Sequence, residues 1–296
     1  MPLNVDGLYW QYMVQFLCST IGATLNISTL CHELSKKERN VQLSMLIVHI
    51  LVHILLAFAT LLHSGHMLYA IHSIVGRHEL VFWFGNLTYS FSIVSGLSDF
   101  LLGFDRYIAM KMPIKYSIHL GHKFAIFAFF LCLAMVAANF VTMTFNQLPV
   151  TDRQVTFSMH INIQVLYTHN LINVSFAIFN IVITVMFMWA YAQFNRKINT
   201  NAFGLNNQRA LKNVPTVNLI VVYQLIAEIL FVIIPVLVTI GPYPSAFLAF
   251  YITCCAVLYR VKLAQSQDSE PSAEQPQAKV TSATAKKVTF TLPTTH

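Results

Sequence analysis

Four charged side chains lie where apolar residues would be expected. Asp99 and Glu228 fall inside long apolar runs, and Asp105 and Arg106 are adjacent at the end of another. An ionised carboxylate inside a membrane costs several kcal/mol unless it is paired, so such acids are functional candidates by default. The chemistry that they offer is charge pairing and ion binding. No paired acids, Ser–His pair or metal-ligand spacing points to catalysis, so we expect neither an enzyme nor a cofactor.

Helical spacing brings other polar residues close to Asp99. Asp99 precedes Arg106 by seven residues, so the two share a helix face, and Ser95 extends that face by one turn. His49 and His53 are four residues apart and share one face of an earlier apolar run. We hypothesise a buried polar centre in which one of these histidines faces Asp99. The alternative is a protonated Asp99 that is hydrogen-bonded only for packing.

Other polar residues could bind a ligand or join helices. Glu228 shares a helix face with Gln224, and Asn26 lies within the first apolar run, where a polar group bonds across helices. Near the predicted outer ends, aromatic and polar side chains fit a small-molecule pocket, which is mostly apolar with a few polar groups. The ligand-binding candidates are Tyr89, Phe91, His169 and Asn170. The alternatives are ordinary interhelical hydrogen bonds and aromatic residues at the membrane interface.

Histidines and cysteines give no metal or disulfide pattern. His63, His66, His72 and His78 crowd a segment, 63–80, that reads as an outer loop, but their spacing does not indicate zinc. The five cysteines lie in or beside apolar runs and form no CxxC pair. We therefore predict no metal site and no extracellular disulfide.

Helices that cross a bilayer must position these residues. The chain has 296 residues, of which 56% are hydrophobic and 10% are charged, whereas a soluble domain has about 25% charged residues. About 20 residues cross a hydrocarbon core, and they must be helical because lipid offers no partner to free backbone groups. We predict an all-α bundle of seven transmembrane helices in a domain of residues 1–262, followed by a disordered tail, 263–296. The predicted spans are 8–31, 41–62, 81–107, 123–145, 165–191, 214–240 and 243–261.

The distribution of basic residues sets the direction of the spans. Of the 18 Lys and Arg residues, all except Arg77 and Arg153 fall on one side of the predicted membrane. Basic residues accumulate in cytoplasmic loops, so that side is the cytoplasm and the N-terminus is extracellular. The net charge of +7 is thus a topology signal, and we expect no nucleic-acid partner.

The end of the third span carries the most specific pattern. Asp105, Arg106 and Tyr107 are followed by Pro113, seven residues after the arginine, and by Tyr116, ten residues after it. Two charges reaching towards water would explain the Asp and the Arg, but neither the Tyr nor the Pro. The pattern resembles that of the rhodopsin-like G-protein-coupled receptors. This resemblance implies that Asp105 holds Arg106 in the resting state, and that Arg106 contacts a G protein once the cytoplasmic helix ends separate.

Three other residues fit the same resemblance. Asn26 is similar to the polar Asn of the family's first span, and Pro235 resembles the proline that kinks the sixth. Tyr259 resembles the Tyr that closes the Asn-Pro-x-x-Tyr pattern of the seventh span and belongs to the same switch. Here, however, Cys255 and Ala256 replace the Asn and the Pro.

Several features of that family are missing. Val81 stands where a disulfide-forming Cys is usual, the fourth span has no Trp, and the second span has His49 and His53 in place of its Asp. In the family that Asp and a Ser, here Ser95, bind sodium, and Asp99 is the acid that could replace it. Divergent seven-span chemoreceptors of nematodes have a similar length, a short N-terminus and no such disulfide. The chain resembles this serpentine group, with class bc and class x as the two candidates.

The resemblance implies a chemosensory receptor in the plasma membrane or in a sensory cilium. A small-molecule ligand would bind near the outer face, and a heterotrimeric G protein would bind around Arg106. The alternative is an ion-coupled transporter or channel that uses Asp99 and Glu228, but this leaves Asp105, Tyr107 and Pro113 unexplained. A receptor-like protein that no longer couples is a further alternative.

The predicted topology can be tested with one epitope tag at each end of the chain. Antibody added to intact cells should bind the N-terminal tag, whereas the C-terminal tag should be reached only after permeabilisation. An odd number of crossings would be excluded if intact cells exposed both tags or neither.

Overall fold

The computed structural model describes residues 5–35, 43–72, 78–112, 115–116, 120–149, 156–200, 223, 226–227, 230 and 244–268. This part of the chain is helical and contains no β-strand. The helices are α1 (Val5–Leu34), α2 (Ser44–His72), α3 (His78–Lys111), α4 (Gly121–Phe145), α5 (Ile163–Thr200) and α6 (Pro244–Asp268). A short 3-10 helix, Phe157–His160, lies between α4 and α5.

Each of these six helices overlaps a predicted span and is long and apolar enough to cross a membrane. The last helix, α6, corresponds to the predicted seventh span. The predicted sixth span, 214–240, lies almost entirely outside the described residues. The all-helical class is therefore confirmed, while the count of seven and the direction of the termini stay predictions.

Two boundaries differ from the sequence prediction. The sequence predicts a loop over residues 63–80, but α2 extends into this segment as far as His72. Its outer turns pack Met67 against Leu8 and Tyr12 of α1 and against Val81 of α3. Tertiary packing thus outweighs the low helix propensity of a segment rich in His. Residues 263–268, assigned to the disordered tail, continue helix α6.

Helix α3 occupies the middle of the bundle. It packs against α2, α4 and α5, while α1 packs against α2 and α6. Close approach of α1 and α6 requires Gly22, because a methyl group there would lie 3.3 Å from Ile252 Cγ2. Next to this contact, Thr253 Oγ1 donates to the backbone carbonyl of Cys18 over 2.8 Å. Side chains on α3 therefore face several neighbouring helices at once.

The outer surface of the bundle is apolar. Large apolar side chains of α4 and α5 point away from the protein, among them Phe130 and Trp189, each 62% exposed. Polar residues such as His49 and Asp105 are instead buried inside. An exposed apolar surface of this extent is a sign of membrane contact. These features are those of a multi-pass membrane protein.

The connection between α4 and α5 folds back onto α3 without a disulfide. Leu148 N donates to the backbone carbonyl of His160 over 2.8 Å, beside an antiparallel bridge between Gln147 and Ile161. This arrangement inserts the buried ring of Phe157 against Gly85 of α3. A packing contact thus ties this connection to α3.

Asn86 begins a glycosylation sequon, Asn86-Leu-Thr88, but it is buried. Its amide nitrogen donates to the carbonyl of Phe140 and to Thr144 Oγ1, both on α4, over 3.1 Å. The side chain therefore joins α3 to α4, and a glycan could not be attached without breaking this contact.

The contact between Gly85 and Phe157 can be tested with two Gly-to-Ala variants. Gly85→Ala should lower the melting temperature of the purified protein in detergent, because the new methyl would overlap the Phe157 ring and lie 2.8 Å from its Cβ. Such overpacking typically costs about 1–3 kcal/mol. The control is Gly65→Ala in α2, where the methyl would lie 3.4 Å from Phe16 Cε2. That variant should be neutral or gain up to about 1 kcal/mol. Equal shifts of the melting temperature in the two variants would contradict the packing of Phe157 against Gly85.

Candidate functional site

The motif at the end of α3 forms a closed cluster of three side chains. Arg106 Nε donates to Asp105 Oδ2 over 3.0 Å, and Arg106 Nη2 donates to the same oxygen. Tyr116 donates its hydroxyl to Asp105 Oδ1 over 2.6 Å and accepts from Arg106 Nη2 over 3.1 Å. Both carboxylate oxygens of Asp105 are therefore occupied, and the guanidinium of Arg106 is turned towards its neighbour in the chain.

Burial makes this cluster strong. Asp105 is 0% exposed and Arg106 is 3% exposed. A buried ion pair contributes little net stability compared with an apolar pair, but removing one partner typically costs about 3–5 kcal/mol because the other charge is left unpaired. The arrangement can therefore hold Arg106 in place until another acceptor or an aqueous opening is offered to it.

Tyr116 completes the cluster from the segment after α3. Its backbone N–H donates to the carbonyl of Met112 over 2.9 Å, which continues a helical turn past the end of α3. Burial raises the pKa of its phenol well above the usual range, and the nearby Asp105 carboxylate adds to the effect. The phenol therefore keeps its proton at any physiological pH and remains a donor to Asp105.

The Tyr107 side chain contacts Lys111 and not the cluster of Asp105, Arg106 and Tyr116. The ammonium of Lys111 lies 5.8 Å from the centre of the Tyr107 ring and 5.6 Å from the Trp189 ring of α5. A cation over aromatic faces at an exposed site contributes about 0.5–1 kcal/mol. This contact joins the C-terminal part of α3 to the C-terminal part of α5.

A second polar cluster lies inside the bundle between α2, α3 and α6. His49 of α2 donates from Nδ1 to Ser98 Oγ over 3.0 Å, since Ser98 gives its own proton to the Ser95 carbonyl. Its other nitrogen, Nε2, accepts from the Tyr259 hydroxyl of α6 over 2.7 Å. His49 Nδ1 is also 3.5 Å from Asp99 Oδ1. One imidazole thus joins three helices.

His53 lies one turn further along α2 and faces the same acid. Its Nε2 is 3.2 Å from Ser95 Oγ and 3.9 Å from Asp99 Oδ1. The rings of His49 and His53 are 4.1 Å apart, centre to centre. The structure thus brings together four of the six residues proposed for a polar core, and both histidines face Asp99. The role of these residues in signalling stays a prediction.

Three of the four ligand-binding candidates, Tyr89, His169 and Asn170, meet near the connection between α4 and α5. His169 Nε2 donates to the Tyr89 carbonyl over 2.9 Å, and Asn173 Nδ2 donates to His169 Nδ1 over 3.3 Å. The Tyr89 ring is 5.1 Å from the His169 ring and 4.6 Å from the Phe157 ring. The Phe157 ring therefore packs against the Tyr89 side of this cluster. Asn170 is exposed, but its side chain hydrogen-bonds to His169 and so belongs to the Tyr89 cluster.

The remaining proposed site residues are placed elsewhere. Phe91 packs against the main apolar core. Asn26 is buried, and its amide atoms have no hydrogen-bond partner among the described residues. Three proposed residues lie outside the described part of the chain: Pro113, Glu228 and Pro235.

Sequence reasoning missed Ser98 and Phe157. Ser98 is three residues after Ser95 and next to Asp99, so helical spacing could have suggested it. Phe157 lies in a polar connecting segment, and no periodic pattern marks it as buried. Its position depends on a contact with Gly85, 72 residues earlier in the chain.

Comparison with known proteins places this geometry in context. Residues 8–148 match the model of the serpentine type 7TM GPCR chemoreceptor family Srbc. The structure is similar to the crystal structure of squid rhodopsin, with a TM-score of 0.65 over 90% of this chain and 85% of that chain. The sequence identity is 11%, so this likeness speaks for the fold. No match is found among the curated proteins. The resemblance to rhodopsin-like receptors of the serpentine chemoreceptor group is therefore confirmed, and Srbc is the family that matches over residues 8–148.

Proposed function

We propose that the protein is a chemosensory G-protein-coupled receptor in the plasma membrane, with its N-terminus outside the cell. The cluster of Asp105, Arg106 and Tyr116 is the observation that carries this proposal. In it, the arginine that would contact a G protein is tied to an acid and a tyrosine of its own segment. This is the resting state of a two-state switch, and activation means release of Arg106.

Tyr116 supplies a hydrogen-bonding partner for the Asp105–Arg106 pair from the segment that follows α3. The predicted cytoplasmic start of the sixth span has Arg209 and Lys212 but no acid to pair with Arg106. The hydroxyl of Tyr116 bonds to both members of the Asp105–Arg106 pair. In the proposed receptor, the segment after α3 therefore contributes to the free energy that is needed to release Arg106 from Asp105.

Helix α3 provides a rigid connection from the ligand to the switch. It carries Tyr89 near the outer end, Asp99 in the middle and Arg106 near the cytoplasm. At 1.5 Å per residue, Tyr89 is about 15 Å from Asp99 along the axis, and Asp99 is about 10 Å from Arg106. A ligand that shifts α3 against α2 or α5 acts on the polar core and on the switch together.

The ligand that we propose is a small, mainly apolar molecule with one hydrogen-bonding group. Tyr89 and His169 are the residues best placed to contact it, because they lie together beneath Phe157. Asn170 is exposed and hydrogen-bonded to His169, so it would contact the ligand at the same place, whereas Phe91 would contribute only if the ligand reached past this cluster. The coupling between such a ligand and the G-protein site is a free-energy difference, typically of about 1–3 kcal/mol.

Removal of the Tyr116 hydroxyl should activate the receptor without ligand. Tyr116→Phe deletes one hydrogen bond to each charged partner, and a bond to a charged group contributes about 1.5–3 kcal/mol. Basal nucleotide exchange on a panel of heterotrimeric G proteins should therefore rise by about tenfold or more. The measurement is GTP-analogue binding with the receptor reconstituted in lipid nanodiscs.

Two further variants make this test specific. Tyr167→Phe removes a hydroxyl from a side chain of α5 that is 71% exposed, and basal exchange should not change. Arg106→Ala combined with Tyr116→Phe should abolish the increase. If the double variant exchanged nucleotide as fast as Tyr116→Phe alone, Arg106 would not be the coupling residue.

A further inference from the structure

Three side chains of the polar core have the composition of a metal site. His49 and His53 are one turn apart on α2, and both face Asp99 on α3. One ligand atom from each lies within 4.8 Å of the other two, and all three residues are buried. Two imidazoles and a carboxylate are a common ligand set for zinc with a fourth position left open.

The spacing of the ligand atoms fits a small divalent cation. Zinc binds nitrogen and oxygen at about 2.0–2.2 Å, so tetrahedral ligand atoms lie about 3.3–3.6 Å apart. His49 Nδ1 is 3.5 Å from Asp99 Oδ1, which falls in this range. His53 Nε2 is 3.9 Å from the same oxygen, and the three ligand atoms all lie within 4.8 Å of one another, so the imidazoles would have to approach each other by up to about 1 Å around the ion. The fourth ligand can be water or the hydroxyl of Ser95, which is 3.2 Å from His53 Nε2.

The hydrogen bonds around the two imidazoles rearrange when the ion binds. Ser95 donates to His53 Nε2, so the ring proton is on Nδ1; the ion replaces this hydrogen bond at the Nε2 lone pair. His49 changes tautomer on binding: its proton moves from Nδ1 to Nε2 and is donated to the Tyr259 oxygen, while the hydroxyl proton of Tyr259 turns away from the ring. No net proton is lost in this step. A partner on the outer nitrogen of a metal-binding histidine orients the ring and commonly affects affinity by about 10–100-fold.

The ligand types decide which ion is preferred. Imidazole nitrogen suits zinc and its neighbours in the first transition row, whereas sodium, magnesium and calcium prefer sites made only of oxygen. Two nitrogens in the set of three therefore disfavour the hard cations. Arg106, the nearest cation on the same helix, is already neutralised by Asp105.

We propose that His49, His53 and Asp99 bind a zinc ion that joins α2 to α3. A second part of the proposal rests on the proposed function: the bound ion holds the resting arrangement of the helices, because its ligands come from two of them. Release of the ion and separation of α2 from α3 are then coupled, and zinc lowers signalling.

The metal site is tested by direct binding, without any G protein. Full-length protein, stripped of metal and held in lipid nanodiscs, is incubated with Zn²⁺ to equilibrium, because a buried site fills slowly. We expect one tightly held equivalent by elemental mass spectrometry and a higher melting temperature. Na⁺, Mg²⁺ and Ca²⁺ should leave the melting temperature unchanged. Co²⁺ should give the intense visible absorption of a four-coordinate site.

Variants assign the ion to these residues. His53→Ala and Asp99→Asn should each lose the bound equivalent, and Tyr259→Phe should weaken binding by about tenfold or more. The control is His63→Ala, which removes another buried histidine of α2 and should bind as the natural chain does. The site would be refuted if the natural chain held no zinc or gave only a weak, six-coordinate Co²⁺ spectrum. Binding that survived in His53→Ala would refute it too. The Co²⁺ spectrum needs no variant, so the test survives if a variant fails to fold.

The regulatory part is tested separately in the active Tyr116→Phe background. Zn²⁺ should reduce basal exchange there by about the ratio of its affinities for the resting and open states, and His53→Ala should remove the effect. Unchanged exchange with the ion bound would overturn the regulatory part and leave the metal site standing. If no variant showed exchange, the receptor proposal would fail, while the binding result would still decide the site.

Discussion

Lipid offers no hydrogen bonds, so a charged or polar side chain within the bundle is stabilised only by a partner in the protein. This constraint explains why the helices are continuous and why their polar side chains face inward. Asp105, Arg106 and Tyr116 bond to one another within a single segment. His49 of α2 bonds through both ring nitrogens to a serine and a tyrosine from two other helices, and His53 bonds to Ser95 through one. The same bonds that permit burial also join the helices, so a change at one partner is felt by its neighbours.

The two polar clusters differ in what they can do. The cluster of Asp105, Arg106 and Tyr116 joins residues of one segment, so in the proposed function it opens when Arg106 leaves. The central cluster joins α2, α3 and α6, and its geometry depends on how these helices are packed. Helix α3 carries residues of both clusters, so a shift of this helix would change both. Tyr259, assigned from the sequence to the cytoplasmic switch, bonds to His49 in the central cluster.

Sequence reasoning succeeded where the physical signal is local. Long apolar runs predict the helices, and the spacing of Asp105, Arg106 and Tyr116 predicted that these residues act together. Helical periodicity also put His49 and His53 on one face and Ser95 near Asp99. It could not show that both faces meet, because that depends on how α2 rotates against α3. For the same reason the metal ligands were not recognised: their spacing is regular on α2, but the third ligand comes from another helix. The length of α2 was underestimated, because packing against α1 holds its outer turns in place.

The contact of Phe157 with Gly85 has a consequence for the affinity of any molecule that binds beneath it. A covalent bridge would keep the connection between α4 and α5 at a constant distance, whereas a ring resting on a glycine can detach and return. A ligand that bound at Tyr89 and His169, as proposed, would have to displace that ring, so its apparent affinity would depend on the fraction of time that the ring is detached. The packing of this single aromatic side chain would then set the concentration at which the proposed receptor responds.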